Sequence, residues 1–206
     1  MGEGDAGRSF EMGEALRRAV YVVALLNLVY FGVEFTVAYE IGSVSLFADS
    51  VDFLEDASFN ILILLALRWP RKVRARVGMM LAGLLLVPAA ATLWMVWTKI
   101  MTPVAPSPLS LTLTAAGALA VNLGCAIILL RHRGHKDSLV KAAFLFSRDD
   151  ALANLAIMLS GAVTAFLWRS AWPDVIVGIG IVAMNADAAF TIWKAARAEG
   201  RPAPAA

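Results

Sequence analysis

Six long apolar runs alternate along this chain with short polar gaps: Ala19 to Ala38, Val44 to Leu67, Val77 to Trp97, Leu111 to Leu130, Ser138 to Leu167 and Val175 to Trp193. Each run holds roughly the 20 residues with which an α-helix crosses a hydrocarbon core. The pattern predicts an all-α integral membrane protein, a bundle of six transmembrane helices in one domain over 19–197. Residues 1–18 read as a short tail, disordered or interfacial, and 198–206 as another. Arg17 and Arg18 ahead of the first run look like the charged start of a secretory signal. That run is too long for one and carries Asn27 and Glu34, so a retained first helix is expected. Pro88 predicts a kink in the third helix, and Gly161 is a candidate bend in the fifth. Trp94 and Trp97 read as interfacial anchors.

Charge in the gaps alternates. The N-terminus, the stretch from Arg68 to Arg76, the loop from Arg131 to Lys136 and the C-terminus are basic, while the other gaps hold only Lys99 and Arg169. Basic loops stay on the cytoplasmic side, so an even helix count with both termini cytoplasmic is expected. Window count and charge placement are independent, and they agree. The expected location is a multi-pass position in a bacterial inner membrane.

Composition supports this reading. The 206 residues are 60% hydrophobic and 17% charged, and mean hydropathy is +0.72, which leaves no room for a second folded domain. Cys125 is the single cysteine, so no intrachain disulfide forms, and within an apolar run it reads as packing. Basic loops beside membrane helices mark topology and contact lipid headgroups; nucleic acid is not an expected partner. Metalloprotease motifs, Gly-rich phosphate loops and nucleophile–His pairs do not occur, so an enzyme is not expected.

The polar residues inside the runs carry the chemistry. Asp49, Asp52, Asp56 and Asn60 recur at spacings of three and four, which places them on one stripe of the second helix, opposite Phe47, Val51, Leu54 and Ala57. Asp150 and Asn154 repeat the four-residue spacing of Asp52 and Asp56 on the fifth helix. Depth matches as well. Asp52 lies about 12 Å in from the outer end of its helix and Asp150 about 18 Å from the cytoplasmic end of its own. In a core about 30 Å thick these levels coincide. Four oxygen-bearing side chains at one level can hold a divalent cation. The plainer alternative, two unrelated polar patches joining helices, does not account for the matched depth. Glu34 reads equally as a polar group satisfied by a neighbouring helix or as a proton or cation stop near the outer mouth. Glu34 and Asp49 are accessory candidates. Asp149 points about 100° away from Asp150; it and Asp187 read as structural, with Asp187 expected to pair with Arg148. Asn185 has no assigned role. His132 and His135 in the loop read as solvated beside arginines rather than as a metal relay.

The segment from Ser43 through Ala48, Asp49, Asp52 and Asp56 resembles the signature of the cation diffusion facilitators, or cation efflux family: serine, apolar residues, Ala-Asp, then His or Asp, and a further Asp four positions on. The stretch from Lys141 to Asn154 is similar to that family's fifth helix. The resemblance covers roughly 19–197 and implies a six-helix transporter with cytoplasmic termini and a metal site built from one pair on helix two and one on helix five. Asp52, Asp56 and Asp150 match those pairs; Asn154 departs from the usual Asp. Only a short tail follows the sixth run, so the soluble metal-binding domain that commonly ends such proteins is not expected here, and the loop between helices four and five lacks the His-rich character of many members. The expected activity is efflux of a divalent transition metal, Zn, Fe, Mn or Co, in exchange for protons, by a homodimer and without a cofactor. The alternative is a non-transporting partner of a full-length relative, which Asn154 in place of a carboxylate favours.

Overall fold

The computed structural model describes the backbone of residues 3–66, 90–132 and 137–199, and the side chains of 14–61, 64, 90–131 and 149–186. The basic stretch from Arg68 to Arg76, the first part of the third apolar run with Pro88, and His135 lie outside the described residues, as do the side chains of His132, Arg148 and Asp187.

The described chain is helical. Helix α1 spans Glu3–Ile41 and α2 Val44–Ala66. Helix α3 is described over 90–101. Helix α4 spans Pro108–His132, α5 Asp137–Phe166 and α6 Trp172–Glu199. The helix ends fall near those read from hydropathy, with two differences: α1 and α6 both continue into residues expected to form tails. Glu, Ala, Met and Arg are strong helix formers, and Arg18 Nη2 donates to Glu14 Oε1 one turn back at 2.6 Å.

The distribution of polarity is the inverse of a water-soluble bundle. Buried positions include Asn27, Glu34, Asp49, Ser50, Asn154 and Asp174, while Leu25, Val29, Leu113, Leu159 and Ile176 point outward. Hydrocarbon solvates such a surface, and the interior supplies the partners that buried polar groups need. Among the described residues, Glu14–Ile41 and Pro108–Arg131 are long and apolar enough to cross a membrane. Trp94 and Trp97 are exposed, as interfacial anchors would be.

Helix α2 packs chiefly on α1 and α6, and α5 chiefly on α4; α2 and α5 touch only sparingly. One core joins five helices: Ala38 of α1, Leu46, Phe47 and Ala48 of α2, Leu111 and Ala115 of α4, Ala153 and Ile157 of α5, and Ile181 of α6. Its alanines let helices approach closely where no aqueous hydrophobic effect drives them together. Tilted aromatic pairs add to the α1–α2 seam, Tyr30 with Phe53 at 5.0 Å and Phe35 with Phe47 at 5.2 Å between ring centroids. Gly161 is a packing position: α5 runs unbroken through it, and a Cβ there would stand 2.4 Å from Thr112 Oγ1 of α4.

Candidate cation site

The turn between α1 and α2 sets where the acidic stripe begins. Gly42 has φ +62°, which an L side chain rarely adopts. It lets Ser43 N–H return to the Ala38 carbonyl at 2.9 Å, closing α1 with a Schellman-type bond. Ser43 then caps α2, its Oγ accepting from Leu46 N–H at 3.2 Å. From this start the first turns of α2 are buried on every side, Ser43 through Val51.

Asp49 is buried on α2, 2% exposed, and faces Glu34 of α1, which is fully buried. The two carboxyls lie within hydrogen-bond reach, yet an ionised carboxylate only accepts. Glu34 Oε1 and Oε2 and Asp49 Oδ2 accordingly have no donor. Among the described residues, no donor from a neighbouring helix reaches the Glu34 carboxyl. Tyr30, one turn before Glu34, lies in the electrostatic field of both acids and donates its hydroxyl to the Thr114 carbonyl of α4 at 2.6 Å.

Asp52 and Asp56 follow along α2 on the far side of the apolar core from the α1–α2 turn. Asp52 is half-buried and Asp56 is exposed. Asp150 of α5 is half-buried and lies within electrostatic reach of Asp49, Asp52 and Asp56. Asn154 is fully buried, with Nδ2 donating to the Asp150 carbonyl at 3.0 Å and Oδ1 without a donor. Asn60 makes the matching bond on α2, from Nδ2 to the Asp56 carbonyl at 2.8 Å. The stripe's opposite face is as expected: Phe47, Val51 and Ala57 are buried and Leu54 is half-buried.

Asp52 and Asp56 of α2 and Asp150 of α5 are near enough to feel one another's charge. Among the described residues, no three His, Cys, Asp or Glu side chains converge closely enough to grip an ion. Asp149 is exposed, separate from Asp150's face, and Asn185 is half-buried on α6. The expected Arg148–Asp187 pairing falls outside the described side chains.

Three participants were not singled out by sequence pattern. Cys125 of α4 lies in the field of Asp56 and Asp150, its Sγ 3.7 Å from Asn27 Oδ1 of α1. Glu55 adds its field at Asp52. Asp174 at the start of α6 holds the first turn of α2. Asp174 carried a signal, an acid within an apolar helix start, whereas nothing in the spacing of Cys125 relates it to the acids.

An outward apolar surface with polar groups buried beside an apolar core fits a membrane domain. The cation efflux transmembrane domain model matches residues 20–199, and the chain belongs to that family, whose members are transporters rather than enzymes. A comparison with curated proteins returns no match.

Proposed function

We propose that this protein carries divalent transition-metal cations across the membrane in exchange for protons, through Asp52, Asp56, Asp150 and Asn154 between α2 and α5. The observation that supports the reading is that Asp52 and Asp56 stand within electrostatic reach of Asp150, on a helix that barely packs on theirs. Clustered intramembrane carboxylates are costly unless a cation or proton neutralises them. Metal and proton compete for the same oxygens, since a carboxylate must be deprotonated to ligate, and this competition couples the two fluxes. Sparse α2–α5 packing allows the ligands to part and close.

The oxygen-only donor set suits Mn²⁺, Fe²⁺ or Co²⁺ relatively better than a His-containing set does, although at any one site Zn²⁺ outbinds Mn²⁺. Charge placement in the sequence supports six spans with both termini in the cytoplasm of a bacterial inner membrane, and the working unit we favour is a homodimer. In this orientation the core around Leu46 and Leu111 closes the outer side and the accessible Asp56 opens inward.

The test is flux into proteoliposomes loaded with a pH-sensitive dye. Entry of Mn²⁺ or Zn²⁺ accompanied by proton exit supports the reading. Tight divalent binding without flux of either ion replaces it with a binding or partner protein.

A further inference from the structure

Asp174, in the first turn of α6, is fully buried, and its carboxylate closes the N-terminus of a different helix. Its Oδ2 accepts from Val44 N–H at 2.8 Å. Its Oδ1 accepts from Ser45 N–H at 3.1 Å, from Ser45 Oγ at 2.6 Å and from Ser43 Oγ at 2.7 Å. A helix start leaves four N–H groups without intrahelical partners. On α2 all four are taken: Ser43 by the Ala38 carbonyl, Leu46 by Ser43 Oγ, and Val44 and Ser45 by Asp174. Lys99 of α3 donates to the Gly42 carbonyl and lies in the field of Asp174. Val44, Val96 and Val175 form a small apolar cluster beside these bonds.

The backbone of α6 comes close enough for this because of Gly178, one turn after Asp174. A Cβ there would stand 2.6 Å from Val44 Cγ1 and 3.0 Å from Ser45 N. Four helices thus meet at the start of α2, and every polar group in the contact is matched. Asp52 lies eight residues on, about 12 Å along a continuous helix. Any slide or turn of the first residues of α2 is therefore transmitted to Asp52 and Asp56. Helix α5 gives little support from its side, because its packing on α2 is sparse.

We propose that Asp174 is a positioning residue for the cation site: by capping α2 from α6, it fixes the depth and rotation at which Asp52 and Asp56 stand. The inference rests on the cation-carrier reading above for its kinetic consequence, but its geometric consequence is independent of transport. The variants are Asp174→Asn, Asp174→Ala, Ser43→Ala with Ser45→Ala, and Gly178→Ala. The Ser pair retains the two backbone bonds to Asp174, Asp174→Asn retains a single acceptor oxygen, and Gly178→Ala retains the carboxylate but drives α6 away.

Two readouts apply. The first is the nitroxide–nitroxide distance between Phe59→Cys on α2 and Leu159→Cys on α5, measured by pulsed electron resonance in Cys125→Ala protein. The distribution shifts or broadens by several ångströms in Asp174→Ala and Gly178→Ala, and less in the Ser pair. The second is Mn²⁺ flux per folded protein: KM rises roughly tenfold in Asp174→Ala with a smaller change in maximal rate, Asp174→Asn falling between. Val20→Ala, a truncation in the middle of α1 away from the α1–α2 turn, lowers stability without moving KM or the distance. Distances unchanged in folded Asp174→Ala and Gly178→Ala overturn the inference, as does a KM equal to wild type. Absent wild-type flux with shifted distances retires the carrier reading and upholds the positioning role.

Discussion

Asn154 Nδ2 donates to the backbone carbonyl of Asp150, 3.0 Å away and one turn earlier on α5, and the bond leaves Asn154 Oδ1 buried with no donor. A buried acceptor without a partner costs on the order of 1–3 kcal/mol. A bound cation removes that penalty, so the departure from Asp at this position does not by itself empty the site of a ligand. Asn154→Ala weakens Mn²⁺ binding, because it deletes this oxygen. Asn154→Asp supplies a fourth carboxylate and tightens binding by about tenfold. Equilibrium Mn²⁺ titration of the purified protein checks both; equal affinity in all three proteins would place Asn154 outside the site.

Glu34 and Asp49 set up the second prediction. Three of their four oxygens lack a donor in a site from which solvent is excluded. Glu34→Gln keeps the volume and gives Asp49 Oδ2 an N–H donor, so it raises the unfolding temperature in detergent by an amount corresponding to roughly 1 kcal/mol. Glu34→Ala leaves a void in the same place and lowers it. A Glu34→Gln protein less stable than wild type would show that a proton or cation between the two carboxyls, rather than a missing donor, defines this contact.

Gly161 has a packing role that sequence inspection does not show. Its lack of a side chain admits α4, whose Thr112 Oγ1 would lie 2.4 Å from a Cβ. Gly161→Val therefore destabilises by about 1–3 kcal/mol through overpacking, read as an earlier unfolding midpoint. A bend at this glycine would instead make Gly161→Val neutral for stability and harmful for flux.

Helix positions and the acidic pairs were legible in the sequence because both rest on local periodicity. Apolar runs of bilayer length mark spans, and carboxylates four apart share a face whatever surrounds them. The common level proposed for Asp52 and Asp150 came from counting residues along each helix. Contacts made at long sequence separation were not legible. Ser43 and Asp174 are 131 positions apart, and no local pattern says that the start of α6 caps α2. The proximity of Cys125 to the acids depends likewise on how α4 turns relative to α1. The extension of α1 to Glu3 was missed because hydropathy marks where a membrane segment begins, whereas helix propensity continues beyond it.

Selectivity follows from the donor set. Asp52 supplies oxygen where a His would supply nitrogen, and nitrogen favours Zn²⁺. Asp52→His shifts competitive flux toward Zn²⁺ over Mn²⁺ relative to wild type. An unchanged ratio would remove Asp52 from the ions' immediate surroundings.

Asp56 is the accessible member of the acidic group, on the same stripe as Asp52 and within reach of Asp150. Its carboxylate is exposed, so its removal deletes the proposed ligand without opening the core. The decisive measurement is Mn²⁺ and proton flux in proteoliposomes holding equal amounts of folded wild-type and Asp56→Ala protein. The account predicts coupled flux in wild type and, in Asp56→Ala, flux at the level of protein-free vesicles with an unchanged unfolding midpoint. Full coupled transport by folded Asp56→Ala would contradict it.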